Sequence, residues 1–420
     1  MRLVAAARDV GFVSFGRYGQ YVVTIVTVPL IARLLGPEGL GLVAVGMSSY
    51  FIGSLLVDLG ITQFLAATIP GGGVRQIRGN YLAIRASIFG TIVGALLLGL
   101  VLGAGPVVTM ILLGLSAGGA SSMSEDWVLI GQGRFGASMA YQGAGRIAYL
   151  VLLIVVLPRY PHAAVALICL LLSSIVTVGL TWRDSLKRFG RPERPRHVLI
   201  MIRKGIPVLT SRLLVSSFGL GSATIYSSVL DAASLGLFSA GDRLLRAIQG
   251  QLDAIGLALL PRMARVGGAD RFWKRAVFSM LVCVGIACVA TATVWVTAPT
   301  LIGVMFGDGF ADAVPLLRVE AFILPATALT SFATTAVLPV RQDTTGVLIG
   351  AVIGTCVAAV WFYVAVRTHS VWALAYGTLS SEVALALWYI IRMRILKVRD
   401  RNAGHGETDR VVADGEVTVP

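Results

Sequence analysis

The chain has 420 residues, of which 56% are hydrophobic and only 13% charged, whereas soluble globular proteins carry roughly 25% charged residues. Lysine and arginine outnumber aspartate and glutamate 35 to 21, a net charge of +14, yet mean hydropathy is +0.83 and charge-poor runs recur from end to end. No soluble domain hides that much apolar surface, so the composition predicts an all-α polytopic membrane protein and argues against a nucleic-acid partner.

A helix of about 20 mostly apolar residues can cross a bilayer, and the sequence offers twelve such stretches. The first six lie near 11–34, 40–68, 81–104, 107–130, 137–157 and 162–182. The next six lie near 206–230, 234–261, 276–306, 314–339, 344–366 and 371–395. Turn-forming residues separate them, as in Gly36-Pro37-Glu38-Gly39. Arg2 and Arg8 precede a first apolar run that is too long for a cleavable signal. This pattern predicts a six-helix lobe over 1–182, a basic cytoplasmic linker over 183–204, a second six-helix lobe over 205–396 and a disordered polar tail over 397–420.

Basic residues set the orientation. One set of loops carries Arg2, Arg8, Arg75, Arg78, Arg134, the basic stretch from Arg183 to Lys204, the run from Arg262 to Arg275, Arg341 and the tail. The opposite loops carry Arg159 and Arg367, with Arg33 at one border. By the positive-inside rule both termini face the cytoplasm. Every loop on the opposite side is short, which leaves no room for an external catalytic domain.

Cys169, Cys283, Cys288 and Cys356 lie in apolar runs without a CxxC partner, and the four histidines (His162, His197, His369 and His405) fall in loops or the tail. No metal site or disulfide is expected from them. No GxxxxGK[ST] motif occurs, so neither a nucleotide nor any other cofactor is expected.

Six helices per half invites a search for an internal repeat. LGPEGLGLVAVG (Leu35–Gly46) aligns with LDAASLGLFSAG (Leu230–Gly241) at an offset of 195, with identities at Leu35/Leu230, Leu40/Leu235, Gly41/Gly236, Leu42/Leu237 and Gly46/Gly241. The same offset pairs Arg17 with Arg212 and Asp58 with Asp253, matches that played no part in choosing the register. Glu125/Glu320 and Arg146/Arg341 also fit, but at different depths of their spans, and are read as coincidences. An even number of spans per copy keeps both copies in the same orientation, so they are expected to flank a cleft along the membrane normal, as in transporters.

Ionisable residues inside spans are expensive and must face each other, water or a ligand. The bases are Arg17, Arg33, Arg85, Arg146, Arg212, Arg243, Arg246 and Arg318, and the acids are Asp58, Glu125, Asp126, Asp242, Asp253, Glu320 and Glu382. Arg33, Arg85 and Arg318 lie near span ends, where snorkelling suffices to explain them. Arg17, Arg212, Arg243, Arg246 and Arg146 lie deeper and are read as substrate-binding residues of a cationic cavity, because arginine holds phosphate bidentately and stays charged. The competing explanation makes them interhelical clamps with Asp242, Asp58, Asp253 or Glu125. Asp58 and Asp253 are read as inner-gate partners of Arg75 and Arg262, or as ion-coupling sites together with Glu125 and Asp126. Gly346, Gly350 and Gly354, and the pair Gly90 and Gly94, are expected to permit close helix packing.

The stretch PLIARLLGPEGLGLVAVGMSSYFIGSLLVDLGI (Pro29–Ile61) resembles the N-terminal signature of Wzx-type polysaccharide flippases. These O-antigen and exopolysaccharide translocases belong to the multidrug/oligosaccharidyl-lipid/polysaccharide (MOP) exporter superfamily. SLGLFSAGDRLL followed by LLPRMAR (Ser234–Arg265), and APTLIGVMFGDGFADAVPLLRV (Ala298–Val319), fit the same family. The resemblance implies two six-helix lobes and a central cationic cavity. It also implies outward transfer of a polyprenyl-pyrophosphate-linked oligosaccharide across the bacterial inner membrane by alternating access. Arg17 and Arg212 match the family's substrate-contacting arginines most naturally. Lipid II flippases of the superfamily have fourteen spans against the twelve expected here, which weakens a peptidoglycan substrate. The implied partners are the lipid-linked oligosaccharide, membrane lipids, and polymerase and glycosyltransferase enzymes, and the chain itself is not expected to be an enzyme. A cation-coupled multidrug exporter of the same superfamily is the second reading and a membrane glycosyltransferase the third.

Overall fold

The computed structural model describes residues 2–62, 65, 73–196, 198–217, 219–264, 269–338, 340–341 and 343–415. Side chains are described from residue 23 onward except 24–25, 204, 207, 211, 214–215, 217, 251–264, 269, 344 and 401–415. Among the described residues every regular element is helical, and nine helices are long and apolar enough to cross a membrane. Their outward faces are apolar: Leu97, Leu98 and Val101 on one helix and Phe278, Val289 and Val296 on another are more than half exposed. Such surfaces suit lipid and not water. The chain is a multi-pass membrane protein.

Helix α1 (Arg2–Asp58) holds the first two expected spans, divided at Gly36, whose φ of +68° and ψ of −173° break the helical path just before Pro37. Leu59 (φ 51°) and Gly60 (φ +65°) then end it ten residues before the expected limit at 68. Next come α2 (Val74–Val101), α3 (Pro106–Ser122), the short α4 (Asp126–Gly131), α5 (Phe135–Val156) and α6 (Ala163–Phe189). Thus the fourth expected span is interrupted at Met123–Glu125. Helix α7 (Val198–Ser217) and the five-residue α8 (Ser222–Tyr226) replace one continuous seventh span. Helices α9 (Ala232–Ala264) and α10 (Ala269–Phe306) follow. The expected tenth span is divided into α11 (Ala313–Glu320), α12 (Ile323–Phe332) and a π-helical turn, Ala333–Val337. Helices α13 (Thr344–Thr368) and α14 (Val371–Gly415) complete the chain, α14 passing Lys397, where the sequence predicts the tail.

Two compact units emerge, one comprising 1–240 with 302–311 and the other 241–301 with 312–420. In the first, Leu59, Ile61, Tyr81, Ile84, Trp127 and Val128 form a core, with Tyr81 and Trp127 edge to face at 5.7 Å. In the second, Phe272, Trp273, Phe332, Ala336, Tyr389 and Met393 do so. Cys169 and Cys283 are buried free thiols, and Cys288 and Cys356 are exposed.

The repeat-matched glycines touch. A Cβ on Gly41 would lie 1.7 Å from the Ala232 carbonyl oxygen, and one on Gly236 would lie 1.9 Å from that of Pro37. Pro37 and Ala232 are themselves related by the offset of 195. The contact is therefore isologous, each copy presenting the same carbonyl to the other's glycine, as a local two-fold axis requires. This is independent structural support for the register read from the sequence.

Other glycines sort differently. Gly346, Gly350 and Gly354 pack against Arg392, Tyr389 and Leu385 of α14, as expected for a close helix pair. Among the described residues nothing lies within 4 Å of a Cβ built on Gly90 or Gly94, so the expected packing role of that pair is not seen there.

Candidate functional site

The span arginines fall in both units, and each unit gives them a different setting. In the first unit Arg146, on α5, lines a half-open cavity of about 270 Å³ whose described lining comes from α1, α3, α5, α6 and Ser124. Arg146 Nη2 donates to Gln142 Oε1 at 3.5 Å, and Gln142 Nε2 donates to Asp126 Oδ2 at 2.8 Å. The glutamine thus sits between guanidinium and carboxylate. Its amide order is set by these two neighbours, oxygen toward the cation and nitrogen toward the anion. Arg212, on α7 and half-buried, lays its Cδ beside Gly60, where an added Cβ would approach it to 2.9 Å.

In the second unit Arg243 and Arg246 lie one turn apart on α9. Arg246 Nε donates to Asp242 Oδ2 at 2.6 Å and also feels Glu320 and Glu382. Glu320 is 3% exposed, packs against Gly241, and neither carboxylate oxygen has a hydrogen-bond partner. Glu382 accepts from Thr330 Oγ1 at 3.1 Å. Arg246 therefore sits among three acids, one of them the Asp242 that the competing clamp explanation names. The side chains of Arg17 and Asp253, and with them the expected Arg17/Arg212 and Asp253/Arg262 pairings, lie outside the described residues.

The expected gate between Asp58 and Arg75 does not form. Asp58 is the last residue of α1, and Tyr81 from α2 donates to its backbone oxygen at 2.9 Å and to Oδ1 at 2.5 Å, joined by Thr62. Arg75 turns away to the linker, where Nε donates to the Arg191 carbonyl at 3.3 Å and stands 3.8 Å from Glu193. The physical reason is local: Arg75 is in the first turn of α2, beside residues 190–196, and Tyr81 lies almost two turns further on. Glu193 N also donates to the Arg75 carbonyl, Gln76 to that of Arg194, and Arg196 N to Asn80 Oδ1. The extended linker is thereby strapped along the start of α2.

Glu125, which precedes α4, accepts from Arg78 Nε at 2.6 Å and from Ser185 Oγ at 3.1 Å. Arg78 is fully buried and also donates to the Gly190 carbonyl, so its sequence assignment to a loop is corrected. Arg85 does not snorkel either. It is 2% exposed, stacks 3.7 Å above the Tyr81 ring and donates to the Ser124 carbonyl at 2.8 Å. Arg78, Tyr81 and Arg85 share one face of α2 at i, i+3 and i+7, a spacing that would have revealed them. Arg33 donates to the Val304 carbonyl and Arg318 to that of Trp295, both at exposed positions. Among the described residues no group of three or more His, Cys, Asp or Glu side chains is placed to hold a metal ion.

Residues 6–266 match the family described as polysaccharide biosynthesis protein. That match covers more than half of the chain. The chain belongs to the polysaccharide biosynthesis protein family. A Shigella dysenteriae protein provisionally named an O-antigen transporter is 21% identical over 198 residues, 47% of this chain, and the chain spans about half the length of that relative. Among solved structures, the lipid II flippase MurJ in an inward closed conformation aligns with a TM-score of 0.70 at 11% identity, covering 92% of this chain and 87% of its own. An inward-facing MATE-family multidrug transporter of the MOP superfamily aligns with a TM-score of 0.66 at 16% identity, covering 90% and 95%. This member of the polysaccharide biosynthesis family therefore has the fold of the MOP transporters.

Proposed function

We propose that the chain is a flippase that moves a polyprenyl-pyrophosphate-linked oligosaccharide, the repeat unit of a cell-surface polysaccharide, from the inner to the outer leaflet of the bacterial inner membrane. The observation that carries this reading is the family match over residues 6–266, and the MOP fold is consistent with it. The two lobes, 1–182 and 205–396, act as the alternating-access halves, with both termini in the cytoplasm.

Arg17, Arg212, Arg243 and Arg246 take the pyrophosphate, with Arg146 as a further cation. Asp58, Asp253, Glu125 and Asp126 serve gating or coupling. The sugars sit in the aqueous cavity while the polyprenyl tail stays in lipid, because exposing it costs about 0.8 kcal/mol per CH₂. An inside-negative potential favours outward movement of an anionic cargo by about 2.3 kcal/mol per charge per 100 mV. Glycosyltransferases that build the substrate and a polymerase that consumes it are the expected partners. The test is translocation of a lipid-linked oligosaccharide by reconstituted protein, with Arg17→Ala plus Arg212→Ala expected to lower it.

One observation favours a second reading, a cation-coupled multidrug exporter: Asp242, Glu320 and Glu382 act on Arg246 in the second unit. Proton-dependent efflux of a cationic dye from vesicles would support that reading, whereas an inert dye with active glycan transfer supports the flippase.

A further inference from the structure

We propose that the linker strapped to α2, residues 187–196, is a binding surface for anionic phospholipid headgroups of the inner leaflet. Such a surface does not depend on what the protein transports. It requires only the orientation that the basic loops give.

The linker is held by its main chain. Arg78, Arg75 and Gln76 donate to the carbonyls of Gly190, Arg191 and Arg194 at 2.8, 3.3 and 3.0 Å. Glu193 N donates to the Arg75 carbonyl at 3.1 Å, and Arg196 N to Asn80 Oδ1 at 2.8 Å. A Cβ on Gly79 would stand 1.9 Å from the Glu193 carbonyl oxygen, so this stretch of chain lies directly on α2. Pro192 and Pro195 bias the residues before them, Arg191 and Arg194, to extended backbone. With the main chain engaged in this way, the side chains of Arg191, Arg194 and Arg196 are exposed.

Charge and depth identify the partner. Lys187, Arg188, Arg191, Arg194 and Arg196 are set against one acid of the same stretch, Glu193, which stands 3.8 Å from Arg75. Immediately before these bases Leu186 is exposed, and shortly after them so are Leu199, at 79%, and Ile200. Apolar side chains exposed to that degree on a multi-pass protein belong in lipid. The bases thus lie between two points where the chain meets acyl chains, at the level of the phosphates. A guanidinium fork fits a phosphate, and basic segments beside spans are drawn to anionic lipid. Because the strap is already ordered, lipid binding does not have to order a loop.

The test is native mass spectrometry of the purified full chain in a neutral detergent, with phosphatidylglycerol, phosphatidylcholine and inorganic pyrophosphate as separate probes. The first phosphatidylglycerol is expected to bind at least roughly ten-fold more tightly than phosphatidylcholine, and more weakly as salt rises. Pyrophosphate, which has no acyl chains, is expected to leave the bound lipid in place. Arg191→Gln with Arg194→Gln and Arg196→Gln is expected to weaken phosphatidylglycerol binding at least roughly ten-fold. Arg271→Gln with Lys274→Gln and Arg275→Gln removes as much exposed charge from α10 and is expected to leave that first binding event nearly unchanged. Gly79→Val keeps every charge but drives the Glu193 backbone off α2, and is also expected to weaken binding. The linker arginine variant alters only exposed side chains, so it retains a readout if Gly79→Val does not fold. Wild-type affinity in the linker variant, an equal loss in the α10 variant, or equal binding of the two lipids overturns the proposal. Displacement of the lipid by pyrophosphate would assign the bases to a free phosphate site and overturns it too. Full binding by a folded Gly79→Val would do the same, because the strap would then have no part in the surface.

Discussion

Arg78 and Glu125 meet at 2.6 Å with side-chain exposures of 0% and 2%, so each is the other's main compensation for leaving water. Removing one partner of such a pair is costly because the remaining charge stays buried, typically ~3–5 kcal/mol, while removing both is far milder. Arg78→Ala is therefore expected to lower the melting temperature sharply and Arg78→Ala with Glu125→Ala to recover most of the loss, as followed by thermal unfolding in detergent. Asp343 makes a second, pH-dependent prediction. It precedes α13, accepts the Gly346 N–H at 3.1 Å and takes Arg392 bidentately at 2.6 and 2.8 Å. Hydrogen bonding from Arg392, more than the Gly346 amide, holds its carboxyl below the usual carboxylate range. A group with a depressed folded pKa stabilises the fold above the unfolded value, near ~3.9 for aspartate, and that contribution fades as pH falls through the folded pKa. Wild-type melting is thus expected to fall on acidification below about pH 4, and Asp343→Asn to flatten that part of the profile. What the sequence revealed at this scale was which charges lie within spans. Their partners were hidden, because Tyr81 meets Asp58, and Arg85 the Ser124 carbonyl, only once α1 ends at Asp58 and the chain breaks at Met123–Glu125, and hydropathy reports neither event.

Between helices, the repeat carries its own test. Gly41 and Gly236 admit each other's helix at backbone distance, so a side chain at either must push the same pair apart. Overpacking of this kind costs ~1–3 kcal/mol, and the local two-fold relation predicts losses of similar size for Gly41→Val and Gly236→Val. Gly90→Ala and Gly94→Ala meet nothing within 4 Å and are expected to be neutral, or to stabilise α2 by up to ~1 kcal/mol through helix propensity. Thermal melting of the four variants separates the two classes. If Gly90→Ala proved as harmful as Gly236→Val, the contact assignments would be wrong. The repeat was readable in the sequence because five identities at one offset survive near Gly41. The breaks at Met123–Glu125 and Ala321–Phe322 are blurred by hydropathy averaged over a whole span, although each carries a local signal: the polar run Ser121-Ser122-Met123-Ser124-Glu125-Asp126 at the first, and at the second Pro325, which has no N–H to bond the Ala321 carbonyl. Those breaks matter to the site: they place Glu125 against Arg78, and Glu320 against Gly241.

For the molecule as a whole, the net charge of +14 divides into two populations. Loop and linker bases set the expected orientation, and some of them do structural work as well, such as Arg75 in strapping residues 190–196 to α2. The arginines in and beside the spans differ among themselves. Arg246 is ringed by acids, Arg146 faces a hydroxyl-lined cavity, and Arg212 packs on the end of α1. Each of these arginines thus has its own surroundings within its unit, and the transport proposal gives them to the substrate. The most direct measurement is leaflet-to-leaflet transfer of a polyprenyl-pyrophosphate-linked oligosaccharide in proteoliposomes containing either the wild-type chain or Arg17→Ala with Arg212→Ala. Charge-assisted hydrogen bonds to phosphate contribute ~1.5–3 kcal/mol each, so a correctly folded double variant is expected to slow transfer by at least roughly ten-fold. Transfer at the wild-type rate, or none by the wild-type protein itself, would contradict the account.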